Sequence, residues 1–286
     1  MVISKKSSRV IGLAFSYVLL LLLIIFFTFP FVFMINKSFM DRVDTSMYPV
    51  RFFPSHLYLG NYKGIFEVEM LRWLGNTMYI TVFNMIGTPL SSSLVAYGFS
   101  KCDFKGKRFF FTMMISTIML PGVVMQIPMY VIYNSLGWIG TYNPLTIPCL
   151  FGGGAMNVFL FMQFMKNIPR EMDNAAKIDG ANALVRYFYM TLPICVPLIL
   201  MNVINIFMGC WNDYMGPLIY ASSSEDMYTV GLGIYYKFIV AGSEGSFRTP
   251  GVKMAIGVLL ALPSAVLFFI FQRQLIDGIM IGGVKG

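Results

Sequence analysis

The sequence predicts an all-α, polytopic membrane bundle of six transmembrane helices with both termini in the cytoplasm. Three observations predict it. Hydrophobic residues make up 57% of the 286 residues and charged residues 12%, and the mean hydropathy is +0.70. A soluble domain is about 25% charged. The charges that exist fall between long charge-free runs. The basic residues also favour one set of loops over the other, which orients a membrane protein.

A helix needs roughly 20 apolar residues to cross the hydrocarbon core. Charge-free runs lie between Arg9 and Lys37, Arg72 and Lys101, Arg108 and Lys166, Arg186 and Asp213, and Lys253 and Arg273. The long third run holds "NSLGWIGTYNP" (Asn134 to Pro144), a turn-forming stretch that divides it in two. The spans are therefore expected near 11–35, 74–98, 109–133, 145–165, 193–219 and 254–272. The first is too long for the apolar region of a signal peptide, about 7–15 residues, and no A-x-A-like site follows it, so it reads as an anchor.

The N-terminus, "KCDFKGKR" (101–108), Lys166 with the segment 167–192 and the C-terminal tail carry 13 Lys/Arg against 5 Asp/Glu. The opposite side carries 8 of each with Asp213 counted there. The first side is then cytoplasmic, and the net charge of +8 is a topology signal, favouring anionic headgroups and giving no reason to invoke nucleic acid. The outer loops, about 36–73 and 220–253, are long enough to meet a partner and too short for cores of their own. Residues 1–286 thus read as one membrane domain. The four cysteines have no CxxC spacing and none lies near His56, so neither a metal site nor a disulfide framework is expected. His56 reads as an ordinary loop residue.

The polar stretch "NIPREMDNAAKIDGANALVRYFYMTLP" (Asn167 to Pro193) interrupts this apolar pattern. Pro169 suits a first helical position. Glu171 and Asp173 sit in the first turn, where the helix dipole favours acids. Asp173 and Lys177 are placed to pair at i,i+4. Ala175 and Ala176 permit close approach, and Gly180 is a natural stop. A short capped helix, a break and a second helix leading into the membrane are expected. By physics alone a solvated loop remains an equal reading.

These residues resemble the signature loop of the membrane subunits of ABC importers: Glu-Ala-Ala, a Gly after three residues, nine residues, then Ile-x-Leu-Pro. Here Asn174-Ala175-Ala176, Gly180 and Met190-Thr191-Leu192-Pro193 keep that spacing. Asn174 replaces the Glu, so a salt bridge made by that Glu does not carry over. "IDGA" (178–181), "AYGFSKCDFKGKRFFF" (96–111), "MLPGVVMQIPMYVIYNSLGWIGTYNPL" (119–145), "WNDYMGPL" (211–218) and "GGVKG" (282–286) extend the resemblance to the carbohydrate branch, the maltose-type permeases, and to their shorter six-span subunit.

The resemblance implies a type I importer permease fold in the bacterial cell membrane and a coupling helix at 169–181 that docks on a cytoplasmic ATPase dimer. Glu171, Asp173, Asn174, Ala175, Ala176, Lys177, Asp179 and Gly180 form that coupling surface, and the C-terminal tail also meets the ATPase. It further implies a second permease subunit, an extracytoplasmic solute-binding protein and a carbohydrate substrate. The chain has no G-x-x-x-x-G-K-[ST] phosphate loop, so ATP and Mg are expected on the partner ATPase, with no cofactor and no catalytic residue here.

Polar residues inside spans tend to face the bundle interior or a water-filled cavity. Thr77, Thr81, Asn84, Thr88 and Ser91 share one face of span two; Asn202, Asn205, Gly209 and Asn212 share one face of span five. Their neutral amides and hydroxyls suit a hydroxyl-rich solute. Asn84, Thr88, Asn202, Asn205, Gly209 and Asn212 are the candidate pathway residues, and helix–helix hydrogen bonding is the competing reading. Asp213, in "WNDY", is a functional candidate or an interface residue at the outer end of span five. Pro121-Gly122, Pro128 and Gly152–Gly154 mark breaks or close packing. A permease for another solute, a secondary transporter and a membrane scaffold are the alternatives; no internal repeat supports the second.

Overall fold

The computed structural model describes residues 5–66, 69–240 and 249–283, with side chains from 12 to 272 apart from Arg170. The described residues form helices and no strand: α1 (Lys5–Ser38), α2 (Arg42–Ser46), α3 (Gly60–Phe66), α4 (Met70–Lys101), α5 (Lys107–Ile118), α6 (Gly122–Ser135), α7 (Asn143–Thr146), α8 (Ala155–Lys166), α9 (Arg170–Ile178), α10 (Ala183–Arg186), α11 (Leu192–Ile194), α12 (Val196–Asn212), α13 (Met215–Tyr220), α14 (Val230–Ile234) and α15 (Pro250–Gly283). Backbone polar groups must pair within the chain when lipid replaces water, and helices meet that demand internally.

Among the described residues three helical stretches are long and apolar enough to cross a membrane: Gly12–Ser38, Asn143–Lys166 and Pro250–Gln272. Two bent pairs, α5 with α6 and the Ala183–Ile194 stretch with α12, raise the number to five. The expected second span corresponds to α4, whose 32 residues extend about 48 Å. It is long enough and is not among the five, because Thr, Ser and Asn dilute its apolar residues.

The chain divides into two compact units, Met1–Val68 with Lys237–Pro263 and Glu69–Tyr236 with Ser264–Gly286. In the first, the apolar window of α1 has no buried residue, and its leucines and phenylalanines are left for lipid or another protein. The last turn of α1 is different. Ser38 is fully buried, and its Oγ lies 2.7 Å from the Tyr62 hydroxyl. Asn61 Nδ2 donates to the Ser38 and Met40 carbonyls at 2.9 and 2.8 Å, tying α3 to the end of α1. A Cβ at Gly251 would stand 2.5 Å from Asn61 Nδ2, so only glycine lets α15 begin there. Before α3, Asp44 accepts from the Ser55 N–H at 2.8 Å and from its hydroxyl and pairs with Arg51 at 3.1 Å. His56 is exposed, beside the Ser55 hydroxyl. The stretch expected as an outer loop is therefore folded back on itself.

In the second unit α4 packs against α8 and α12. Ala96, Tyr97, Val158, Phe161, Met165, Tyr187 and Cys195 form the core at one end of α4. At its other end Trp73 packs on Gly233, where a Cβ would meet the indole at 2.3 Å. Arg72 pairs with Asp226, and Asn76 Nδ2 donates to the Asp226 and Tyr228 carbonyls at 2.7 and 2.9 Å.

Three expected spans differ from straight helices. The third is broken at 119–121 by a 110° bend. Pro121 is extended there, with ψ 132°, and a proline also disfavours helix in the residue before it. Pro128 lies inside α6 without ending it. The fourth comprises α7, a 3₁₀ turn at Ile147–Leu150 and then Gly152, Gly153 and Gly154 at φ 91°, 56° and 99° before α8 begins. The fifth bends by 74° between α11 and α12 and ends at Asn212, where the expected span ran to 219. α13 follows as a separate short helix.

Candidate coupling segment and polar cavity

α9 begins after Pro169, which stands at the N-cap with ψ 136°, one position earlier than the first-turn place expected. Glu171 and Asp173 lie in its first turn. At its end the Gly180 N–H bonds the Lys177 carbonyl at 3.1 Å and the Ala181 N–H bonds the Ala176 carbonyl at 2.9 Å. This pair of bonds is a Schellman stop. Gly180 has φ 80° with open space around it, so glycine is there for conformation alone. Asn182 then caps α10 by accepting the Val185 N–H at 2.9 Å. A π-helical stretch, Tyr187–Thr191, carries the chain on to α11.

Among the residues of α9 whose side chains are described, Asp173 is the buried one. It pairs with Lys177 at 3.3 Å, the i,i+4 contact expected, and with Arg186 at 2.8 Å through side chains that are 7% and 11% exposed. The Arg186 contact joins α9 to the base of the α10–α12 stretch, and sequence reasoning missed it. The only available signal was an arginine at the threshold of an apolar run. Glu171, Asn174, Ala175, Lys177, Asp179 and Gly180 are exposed, and Ala176 is half-buried. Ile178 is 87% exposed, an apolar knob on a polar loop that was also missed.

The two polar stripes separate. On α4, Thr77 donates to the Trp73 carbonyl and accepts the Val230 N–H at 2.9 Å. Asn84 Nδ2 donates to the Ile80 and Leu145 carbonyls at 2.9 and 2.7 Å. Ser91 donates to the Cys149 carbonyl. Much of this face therefore binds the α7–α8 connection. It also leaves a cavity of about 340 Å³, lined by Thr77, Asn84, Thr88, Gly153, Asp213 and Thr229 among others. A Cβ at Gly153 would meet Thr88 at 2.3 Å, so the glycine run lets the connection lie against α4. Asp213 accepts the Gly216 N–H at 2.9 Å, capping the turn into α13.

On α12, Asn202 is buried and donates to Asn157 Oδ1 at 2.8 Å, while Asn157 donates to the Gly153 carbonyl at 2.6 Å. Asn205, Gly209 and Asn212 are exposed on the outside of the helix. The structure brings Asn84 and Thr88 to one cavity and leaves Asn205, Gly209 and Asn212 apart from it. Most of the C-terminal tail "GGVKG" lies outside the described residues, as does 241–248 of the second loop expected outside.

The family model of the binding-protein-dependent transport system inner membrane component matches residues 87–280. The chain belongs to this family. Among the relatives of this inner membrane component is the arabinooligosaccharides transport system permease protein AraQ of Halalkalibacterium halodurans, 30% identical over 262 residues that cover 90% of this chain and 91% of that one. The galactooligosaccharides transport system permease protein GanQ of Bacillus subtilis is 29% identical over the whole of both chains. A chain of a bacterial ABC transporter for import of the acidic polysaccharide alginate shares the fold, with a TM-score of 0.82 and 20% identity over 96% of this chain and 99% of that one. A chain of the alginate transporter in complex with an alginate pentasaccharide-bound periplasmic protein aligns with a TM-score of 0.67 and 15% identity over 95% and 97% of the two chains. The inner membrane component is thus a membrane-embedded transport permease.

Proposed function

We propose that this permease forms half of the translocation pathway of an ATP-binding-cassette importer for an oligosaccharide. The observation that carries the reading is α9. It is a capped nine-residue helix anchored to the base of the next membrane segment by the Asp173–Arg186 pair and presenting exposed Ala175, Lys177 and Ile178. A docking helix must be rigid toward its own chain and open toward its partner, and α9 is both. Its partner is a cytoplasmic ATPase dimer, which binds ATP and Mg; this chain is not an enzyme. A second permease covers the exposed face of Asn205, Gly209 and Asn212. A solute-binding protein delivers the substrate outside. The chain crosses the membrane six times, α4 being the polar sixth span, with both termini in the cytoplasm. By linkage, a loaded binding protein that favours ATPase closure is itself bound more tightly by the closed complex.

A carbohydrate is supported by the substrates that the relatives' names carry, arabino- and galactooligosaccharides, and by neutral Asn84, Thr88 and Thr77 around the cavity. Its 340 Å³ lies at the lower end of the ligand-pocket range, about 300–1,000 Å³. The test is a mild-detergent pull-down of the tagged chain from its host. Recovery of one ATPase, a second permease and a binding protein that captures oligosaccharides supports the reading. Recovery of the chain alone, where other ABC complexes survive, contradicts it. A binding protein that takes only non-sugar solutes overturns the substrate and leaves the importer.

A further inference from the structure

Two adjoining cavities lie where α4 ends and α5 begins, and they share Ser100, Lys107 and Lys166. The larger, about 630 Å³, has Phe99, Phe111 and Met162 as an apolar wall and Arg108 at its edge. The smaller, about 370 Å³, is polar and adds Lys101 and Lys177 together with the acids Asp103 and Asp173, so the uncompensated basic groups lie toward the larger cavity. Two of the five cations are engaged by groups that line the smaller cavity with them: Lys101 bonds the Ile168 carbonyl at 3.1 Å and Lys177 pairs with Asp173. The other three are poorly compensated. Lys107 reaches the Cys102 carbonyl at 2.8 Å and the fully exposed Asp103 at 3.5 Å. Lys166 stands 6.0 Å from the centre of the Phe111 ring. Arg108 is in none of the ion pairs among the described residues.

The local helix sharpens the imbalance. Lys107 and Arg108 open α5, whose first turn has no acid and whose N-cap, Gly106, offers no side-chain acceptor. Cations at a helix N-terminus oppose the dipole. An anion placed among them would satisfy both the side chains and the helix end.

We propose that the paired cavity binds one anionic phospholipid. Its phosphate sits among Lys107, Arg108 and Lys166, and its acyl chains lie on Phe99, Phe111 and Met162. A basic pocket between membrane helices on the cytoplasmic side suits such a headgroup. A free phosphate would satisfy the cations and leave the apolar wall uncovered. Placing the lipid in the cytoplasmic leaflet rests on the orientation given under Proposed function; the binding itself does not.

The test is native mass spectrometry of the purified full chain, with whatever subunits accompany it, taken from micelles containing equal amounts of phosphatidylglycerol and phosphatidylcholine. Phosphatidylglycerol should be retained selectively. R108Q should lower that selectivity roughly fivefold, and K107Q/R108Q/K166Q on the order of a hundredfold, from the contribution of each basic group near an anionic headgroup. If the triple variant does not assemble, R108Q and the wild-type selectivity decide. Equal retention of both lipids by the wild type overturns the proposal. So does selectivity unchanged in R108Q, which would mark a general lipid belt. Displacement of the lipid by inorganic phosphate would reassign the site to a free anion. None of these outcomes depends on which proteins the pull-down recovers.

Discussion

At the scale of single residues, Asp173 stands between Lys177 one turn along α9 and Arg186 beyond the helix stop. The Lys177 contact was legible, because i,i+4 neighbours share a helix face. The Arg186 contact was not, because the Schellman turn at Gly180 redirects the chain and no periodicity spans it. Removing one partner of a buried ion pair costs up to about 3–5 kcal/mol; Asp173→Ala strands Arg186, while Arg186→Ala leaves Asp173 with Lys177 and costs less. Asp173→Ala and Arg186→Ala should each lower the thermal midpoint of the purified complex. The double variant should lose clearly less than the two losses combined, because the sites are coupled. Additive losses would show that the pair is incidental.

Asp44, in the segment between α1 and α3 of the first unit, makes a prediction about pH. The Ser55 hydroxyl, then the Ser55 N–H, hold its pKa below the ordinary 3.8, with Arg51 adding to the effect. The carboxylate is therefore favoured in the folded state. Its contribution is fully present above the unfolded value, near 3.8, and is lost as pH falls through the lower folded value. Proteolysis of residues 41–59 should stay slow from neutral pH down to about 4 and accelerate below it. Ser55→Ala should make the segment more susceptible at neutral pH and weaken the acid dependence. An acid response identical in Ser55→Ala would contradict this account of the loop.

At the scale of elements, charge-free runs located the long apolar helices but not their breaks. Pro121 and Gly152–Gly154 were visible as punctuation, yet periodicity does not say whether a proline kinks a helix or ends it. Pro128 continues α6, while Pro121 is extended before it. The stripe on α4 was legible as a face and ambiguous in role, since the same hydroxyls and amides serve as packing and as cavity wall. Thr77, Asn84 and Ser91 bind neighbouring backbone, and Thr77 and Asn84 still border the cavity. On α12 the stripe divides, because a face spanning about 80° of a helix meets α8 at Asn202 and leaves Asn205 outside.

The glycine run offers the sharpest test at this scale. Gly153→Val places a branched side chain at φ 56° and within 2.3 Å of Thr88. A left-handed conformation costs about 1–2 kcal/mol and overpacking about 1–3 kcal/mol, so a loss of roughly 3 kcal/mol is expected. Gly209→Ala, helical and with open space around it, should be neutral or stabilising by up to about 1 kcal/mol. Thermal unfolding in detergent checks both. Equal effects would mean that the α7–α8 connection does not lie tightly on α4.

At the scale of the whole molecule, the lysine and arginine bias and the apolar runs made the membrane class legible, and the spacing around Asn174-Ala175-Ala176 made the family legible. Hydropathy alone does not count α4 among the spanning helices, because Thr, Ser and Asn dilute its apolar residues. The remaining question is whether α9 meets an ATPase. Ile178, 87% exposed on that helix, is the position to ask with. Ile178→Cys should be treated with a short thiol-to-amine cross-linker in native membranes, and the products identified by mass spectrometry. The account predicts a single adduct to the ATPase subunit, and a lower yield when ATP is trapped or removed, as the docked helix shifts. Labelling of Ile178→Cys by a soluble thiol reagent with no ATPase adduct, in membranes where the assembled complex is present, would contradict it.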